Sequence, residues 1–294
     1  MSAAAGSGGR RAAADPDLAG TVADLAGAPG ITWGVCVRDV ADGGVLASVA
    51  PDRSLPIASL GKLLLLVEVA AQLDEGALDP GLRLSRRPEC AVADSGLWQH
   101  LATDALPVTD LAVMVAAVSD NLATNVLLAH VGLPAVQRRG AVLGLEATRL
   151  LDRVRDERGD DVPSTLASGT AAELSELTAR LASGTAVSAV PDATVLEWLG
   201  LGTDLSLVGS AFGLDPLAHR QADRGVVLRS KTGTEAGIRA DAGVVDGGGR
   251  RLAYAALARW DPGDDALRDV VLEGMFRLGA ALRAALGCEP VHPT

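Results

Sequence analysis

Aromatic residues make up only 2% of this 294-residue chain, with four Trp, two Phe and one Tyr. The core must therefore be built from Ala, Val and Leu, and few rings are left for stacking on bases or sugars. Cysteine is scarce too: Cys36, Cys90 and Cys288 are odd in number, widely spaced and include no Cys-x-x-Cys pair. That argues against a disulfide framework and against a zinc site. The four histidines (His100, His130, His219, His292) include no His-x-x-x-His pair, and they read as surface or capping residues rather than ligands. Nothing implies a metal or a cofactor. Basic charge is in deficit, since 26 Lys and Arg against 37 Asp and Glu leave a net charge of −11. That is the wrong sign for a nucleic-acid partner, whose affinity rests on Lys and Arg clusters. The acidity reads as a solubility feature. Long apolar runs are also missing. Leu63 to Val67 is interrupted by Glu68, well short of the roughly 20 residues that span a bilayer. Met1 to Asp17 is Ala/Gly-rich and carries Arg10 and Arg11 but no apolar run, so it lacks the core of a secretory signal. With the initial Met, this points to a cytoplasmic protein without a membrane partner.

What is present is the composition of a folded protein, 48% hydrophobic and 21% charged. A chain of about 300 residues buries roughly 75% of its unfolded surface, so a sizeable core is available. Residues 1–16 read as a flexible tail. Pro16 to Ala26 has helical Leu/Val spacing, and two strands near 31–40 and 44–50 flank the turn Asp42-Gly43-Gly44. From Ser59 to about Leu201 the chain reads mostly helical. Ser59 to Leu73 is apolar on nearly every face, as a helix buried in the interior should be. Thr109 is the expected N-cap of the helix 109–118. Strands return at Gly225–Ser230, Ala240–Asp246 and Arg251–Trp260, followed by a helix from Asp264 to Leu286. Strands from both ends around a helical middle predict one mixed sheet with an inserted helical lobe and a cleft between them.

Three short motifs fall on these elements. Ser59-Leu60-Gly61-Lys62 spaces a hydroxyl and an amine three residues apart, on one face of a helix. A serine becomes a nucleophile when a base takes its proton, and burial or a cationic neighbour can lower a lysine from about 10.4 towards that task. Ser119-Asp120-Asn121 follows a predicted helix. There a second serine can carry a proton to a leaving nitrogen, Asn121 can orient Lys62 and hold a substrate amide, and Asp120 fits a buried scaffold acceptor. Lys231-Thr232-Gly233, followed by Thr234, lies on a predicted strand whose edge can pair with an extended substrate. Gly233 permits close backbone approach, and Lys231 offers a charge to a substrate carboxylate. The amides of Ser59 and Thr234 are candidates for an oxyanion hole, where one donor is worth about 10²–10³ in rate. Each motif alone occurs in ordinary helices, turns and strands. Their order and placement together carry the weight.

On these motifs the chain resembles the class A β-lactamase and penicillin-binding serine hydrolase superfamily. Pro56-Ile57-Ala58 leads into Ser59 as in the family, Ser119 to Leu128 (SDNLATNVLL) is similar to its SDN helix, and Lys231 to Val245 (KTGTEAGIRADAGVV) to its strand–turn–strand. The resemblance spans about residues 17–287. It implies an α/β (α+β) fold of the β-lactamase/transpeptidase kind, with an antiparallel sheet from both termini packed with helices. The α/β lobe would comprise about 17–58 and 205–287, the all-α lobe about 59–204, and 288–294 a tail. It also implies catalytic roles for Ser59, Lys62, Ser119 and Lys231, with Asn121, Thr232, Gly233 and Thr234 binding a small-molecule acyl substrate.

One segment departs from the family. Class A enzymes carry a glutamate in an omega loop that activates the deacylating water. In Thr148 to Ser164 (TRLLDRVRDERGDDVPS) the alignment through Leu151-Asp152-Arg153 puts Arg155 at that position. The loop also reads as shorter, and the family's nearby water-holding Asn has no counterpart. Asp156 or Glu157 is a candidate replacement base, and Arg153 with Asp160 or Asp161 a candidate ion pair bracing the loop. The expectation is a serine hydrolase or acyltransferase that forms a Ser59 ester from an amide, ester or β-lactam, with slow deacylation. A slow β-lactam hydrolase, an esterase or peptidase, and an amide-forming transacylase all fit. The alternative is a regulatory ligand-binding protein that keeps the fold without turnover.

Overall fold

The structure, a computed structural model, describes residues 16–289. The expected tails therefore lie largely outside the described residues, as does His292. Helix α1 (Pro16–Ala26) starts with proline in the first turn, where its missing N–H costs nothing. The hairpin β1 (Thr32–Asp39) and β2 (Val45–Val49) follows, then the short β3 (Leu55–Pro56) and a 3-10 turn at Ala58–Gly61 that runs straight into α2 (Lys62–Asp74). The helical part continues through a small ribbon of β4 (Arg83–Ser85) and β5 (Ala105–Pro107) into α3 (Val108–Val118), α4 (Asn121–Val131) and α5 (Leu133–Val142). Strands β6 (Arg149–Leu150) and β7 (Ala167–Gly169) bracket a loop and pair with each other, and β7 also pairs with β3. Helices α6 (Ala171–Ser183) and α7 (Ala189–Leu199) lead back to β8 (Val226–Glu235), β9 (Ile238–Gly247), β10 (Arg250–Arg259) and the closing helix α8 (Asp265–Ala285).

The main sheet is antiparallel throughout, in the order β2-β1-β10-β9-β8. Strands from both chain ends meet at β1 and β10, with Thr32 opposite Arg259 and Asp39 opposite Leu252. Strand side chains alternate between faces. On β1 and β10 one set (Val35, Val37, Tyr254, Ala256) packs under α1 and α8, while the other (Cys36, Ala255, Leu257) joins the core of the helical part. Helix α2 threads that second core, with every residue from Lys62 to Ala71 buried. The aromatic deficit is visible here: leucines fill the space, and alanines on β9 and β10 let the helical part approach the sheet closely.

Several local expectations change. The segment expected to be helical from Ser59 begins as a 3-10 turn, and Thr109 lies inside the first turn of α3, where Pro107 is the cap residue. Strands β8 and β9 are longer than the pattern suggested, so the Lys231 motif is continuous with the strand before it. His219 is buried, with Nδ1 at 2.9 Å from the Asp215 carbonyl, rather than a surface residue. Near the C-terminus Cys288 is held by its N–H donating to the Arg283 carbonyl at 3.1 Å. The three cysteines are free thiols. Among the described residues no helix is long and apolar enough to cross a membrane.

Candidate active site

Ser59 sits in the middle of the 3-10 turn, half-buried, and lines a cleft of about 760 Å³ between the sheet edge and the helical part. A 3-10 turn has three residues per turn, so residues i and i+3 eclipse each other. That is the local reason Ser59 and Lys62 share a face. The turn is pinned from both sides. A Cβ on Gly61 would meet the Ala167 Cβ at 2.2 Å, and one on Gly233 would meet the Ile57 carbonyl at 2.1 Å. Only glycine lets β7 and β8 clamp the turn this tightly. Ala58 carries a positive φ of 46°, a left-handed backbone that a non-glycine residue adopts at a cost of about 1–3 kcal/mol. The Ser59 hydroxyl makes no hydrogen bond among the described residues and is open to the cleft.

Lys62 is completely buried behind Ser59. Its Nζ donates to the Ser119 carbonyl at 2.7 Å, to Ser119 Oγ at 3.2 Å and to Asn121 Oδ1 at 2.7 Å. Burial, and then the nearby charge of Lys231, hold its pKa well below the usual lysine range against the opposing pull of Asp120 and Asp94. The structure thus assigns Lys62's hydrogen bonds to Ser119 and Asn121 rather than to Ser59. Ser119 ends α3 in a left-handed conformation with φ of 55°, which turns its side chain towards Lys62 and the cleft. Asp120 is fully buried. Its Oδ1 accepts from Ala123 N at 2.8 Å as the N-cap of α4, and its Oδ2 accepts from Leu97 and Trp98 N at 2.7 and 2.8 Å. It is a scaffold acceptor that fixes Ser119 and Asn121 on either side. Asn121 also donates through Nδ2 to the Ala93 carbonyl at 3.1 Å.

Strand β8 is the edge of the main sheet, and Thr232 and Thr234 line the cleft. Lys231 is buried beside them, donates to the Thr232 carbonyl at 2.9 Å, and lines a recess of the cleft together with Ser119 and Asp204. Burial lowers its pKa to about 8, against the charges of Asp204 and Asp241. Asp241, opposite Thr232 on β9, accepts from Tyr254 Oη at 3.0 Å and Val208 N at 3.1 Å, and burial pushes it up to about 7. Sequence reasoning missed Asp204, whose Oδ2 accepts from Thr232 Oγ1 at 2.6 Å. Its only local signal is an Asp-x-Ser turn, in which Oδ1 accepts from Ser206 N at 3.1 Å and Ser206 Oγ at 2.6 Å.

The loop between β6 and β7 forms the far wall of the cleft with Val154, Arg155, Asp156 and Arg158. Its brace differs from the expected pairing of Arg153 with Asp160 or Asp161. Asp152 is the hub: Oδ2 accepts from Arg155 Nε at 2.6 Å and Arg158 Nη1 at 2.8 Å. Burial acts to raise the Asp152 pKa, but the guanidinium hydrogen bonds outweigh it and leave it low. Arg153 instead donates to the Glu89 carbonyl. The Val154 peptide is clipped by Asn125, whose Oδ1 accepts from its N–H at 2.9 Å and whose Nδ2 donates to its carbonyl at 3.0 Å. Asp156 Oδ1 accepts from Ala93 N at 2.8 Å. Glu157 is exposed and is not part of the cleft wall.

The structure therefore brings Ser59, Ser119, Asn121, Thr232 and Thr234 to one cleft, with Lys62 and Lys231 buried behind it and Gly233 wedged against the Ser59 turn. A family model described as "Beta-lactamase enzyme family" matches residues 17–271. Among solved structures, a β-lactamase from Sphaerobacter thermophilus is 24% identical with a TM-score of 0.79, over 94% of this chain and 98% of that one. PBP-A is 21% identical with a TM-score of 0.78, over 92% and 96%. An ancestral class A β-lactamase (GNCA) is 26% identical with a TM-score of 0.75, over 91% and 99%. The family match covers most of the chain, and the fold is that of the β-lactamases and transpeptidases throughout. This chain belongs to the β-lactamase enzyme family and is a β-lactamase-like serine hydrolase.

Proposed function

We propose that Ser59 attacks the carbonyl of a small-molecule amide, ester or β-lactam, forms an acyl-enzyme, and releases the acyl group slowly. The observation that carries this reading is the setting of Lys62. A neutral amine has two N–H donors and one lone pair. The Ser119 carbonyl and Asn121 Oδ1 are pure acceptors and take the two donors. That leaves the lone pair to accept from a hydroxyl, and the lowered pKa supports this neutral form.

The steps follow from the geometry. As the Ser59 oxygen bonds to the acyl carbon, its proton passes to Lys62 Nζ. The amides of Ser59 and Thr234 stabilise the developing oxyanion, β8 being a free sheet edge on that side. When the tetrahedral species collapses, Lys62 returns the proton through Ser119 Oγ, 3.2 Å away, to the departing nitrogen or oxygen. Thr232 and Asn121 hold the substrate along the cleft. Deacylation needs a water with a base beside it, and the loop offers two guanidiniums there. The one carboxylate of the loop on the cleft wall, Asp156, is held by Ala93 N. A PBP-A variant has been captured as an acyl-enzyme with penicillin G, and a similar species is the one proposed for this chain.

Mixing the protein with a fluorescent penicillin and, separately, with an activated ester tests the first half of the reading by intact mass. The expected result is one adduct on Ser59 with at least one donor, absent in Ser59→Ala. Absence of any adduct with both donors would leave the acyl-enzyme reading without support.

A further inference from the structure

Away from the Ser59 cleft, the ends of α6 and α7 leave a second recess of about 390 Å³ against the main sheet, and it shares no lining residue with the cleft. Alternation along the strands explains its floor. Val244 and Asp246 on β9, Arg229 opposite Val244 on β8 and Arg251 opposite Asp246 on β10 lie on the sheet face that meets α6. The walls come from Ala182 of α6 and from Ala193, Leu196 and Glu197 of α7, with Arg220 reaching in from the loop before β8. Three guanidiniums (Arg220, Arg229, Arg251) meet two carboxylates (Asp246, Glu197), and no other ionisable side chain lines the recess. It therefore carries one surplus positive charge in a chain whose net charge is −11.

The arginines are held in place but not used up. Arg229 Nη1 donates to Asp246 Oδ2 at 2.7 Å, and Arg251 donates through Nε to Asp246 Oδ1 and through Nη1 to the Ala182 carbonyl at 2.8 Å. Asp246 thus fixes the two guanidiniums side by side, one on each oxygen. Arg220, more exposed, donates to Glu197 Oε1 at 3.1 Å. Each guanidinium offers five N–H donors. Among the described residues, Nε and Nη2 of Arg229 and Nη2 of Arg251 have no acceptor. We infer that this recess is a binding site for a small aliphatic carboxylate, separate from the Ser59 cleft and independent of its chemistry. A planar carboxylate matches guanidinium donors, and its single charge balances the single surplus. A dianion would add negative charge beside Asp246 and Glu197, and a cation would find both carboxylates already paired. The alkyl chain has Ala182, Leu196 and Val244 to lie against. The volume is within the roughly 300–1,000 Å³ of small-molecule sites.

The test titrates the full-length protein by calorimetry with hexanoate, with hexyltrimethylammonium and with inorganic phosphate. Hexanoate is expected to bind at low salt with a Kd of about 1 mM, in line with the affinity a ligand of its size can reach. Binding should weaken as salt rises, and the cation of matching chain length should bind more weakly than hexanoate. Arg251→Gln removes one guanidinium and should cost about tenfold or more in hexanoate affinity, the range for a hydrogen bond to a charged group. Ala193→Trp, at an exposed position of α7, fills the recess with every charge left in place and should cost as much. Because that variant spares the ion pairs, it decides the matter even if Arg251→Gln fails to fold. No saturable binding of hexanoate, tighter binding of phosphate or of the cation, or hexanoate affinity unchanged in Ala193→Trp overturns the inference. None of these results bears on acylation of Ser59, which is scored separately by adduct mass.

Discussion

The two walls of the cleft handle charge in opposite ways. On the Ser59 wall the two lysines are buried next to the cleft. Lys62 is depressed by burial and by Lys231, Lys231 sits at about 8, and the backbone is strained at Ala58 and Ser119. On the loop wall the charges are turned towards each other. Asp152 binds Arg155 and Arg158, Arg153 reaches a main-chain carbonyl, and Asn125 clips the Val154 peptide. Groups held away from their ordinary protonation equilibria suit proton transfer, whereas groups neutralised by partners suit shape. The difference teaches that acylation and deacylation need not be equally equipped. The residues proposed for acylation lie together on the first wall, whereas on the second Asp152 pairs with Arg155 and Arg158 and Asp156 is the loop carboxylate that lines the cleft.

The largest expected effect comes from Lys62→Met, which keeps the buried stem and removes the amine. Acylation measured by stopped flow should fall by about 10²–10⁴, the range for a lost general base. In the wild-type protein the sign of the pH dependence follows from the lowered pKa. The neutral amine is the active form, so the acylation rate should rise with pH through the depressed Lys62 pKa and level off above it. A pH-independent acylation rate across the neutral and acidic range would break the assignment. A smaller effect of a different kind is expected at Asp152→Ala. It leaves two guanidiniums without their partner, and thermal denaturation should show a loss of about 1–3 kcal/mol. Acylation by an activated ester should stay within about threefold of wild type at a temperature where the variant is folded. A drop comparable to that of Lys62→Met would mean that the two walls are not separable.

Much of the acylation wall was readable from the chain because its key relationships are local. The Ser59–Lys62 spacing, the turn at Ser119 after a helix, and Asp120 as an acceptor each depend on residues within a few positions. The single sheet built from both ends was legible from its strands and glycine turns, but the pattern alone read as mixed, and only the resemblance implied the antiparallel pairing seen throughout. Contacts between distant residues were not legible. Asp204 meets Thr232 across the chain, and nothing in an Asp-x-Ser turn says that it does. The loop failed differently. With Arg153, Arg155 and Arg158 interleaved with Asp152, Asp156, Glu157, Asp160 and Asp161, many pairings are of similar energy, and the backbone path decides. That path made Asp152 the hub. The bond from Lys231 to the Thr232 carbonyl was not legible either, because it depends on how a long side chain folds in the interior.

The most direct test of the central claim is a chase of the Ser59 adduct. The protein is acylated with excess donor, the excess is removed, and the adduct mass is followed with time in the wild type, Asp156→Asn and Glu157→Gln. The account predicts an adduct that outlasts ordinary turnover, for which about 1–10³ per second is typical, and that decays at the same rate in all three proteins. Clearance of the wild-type adduct at such turnover rates, or decay slowed tenfold or more by Asp156→Asn, would contradict it and return the loop to the mechanism.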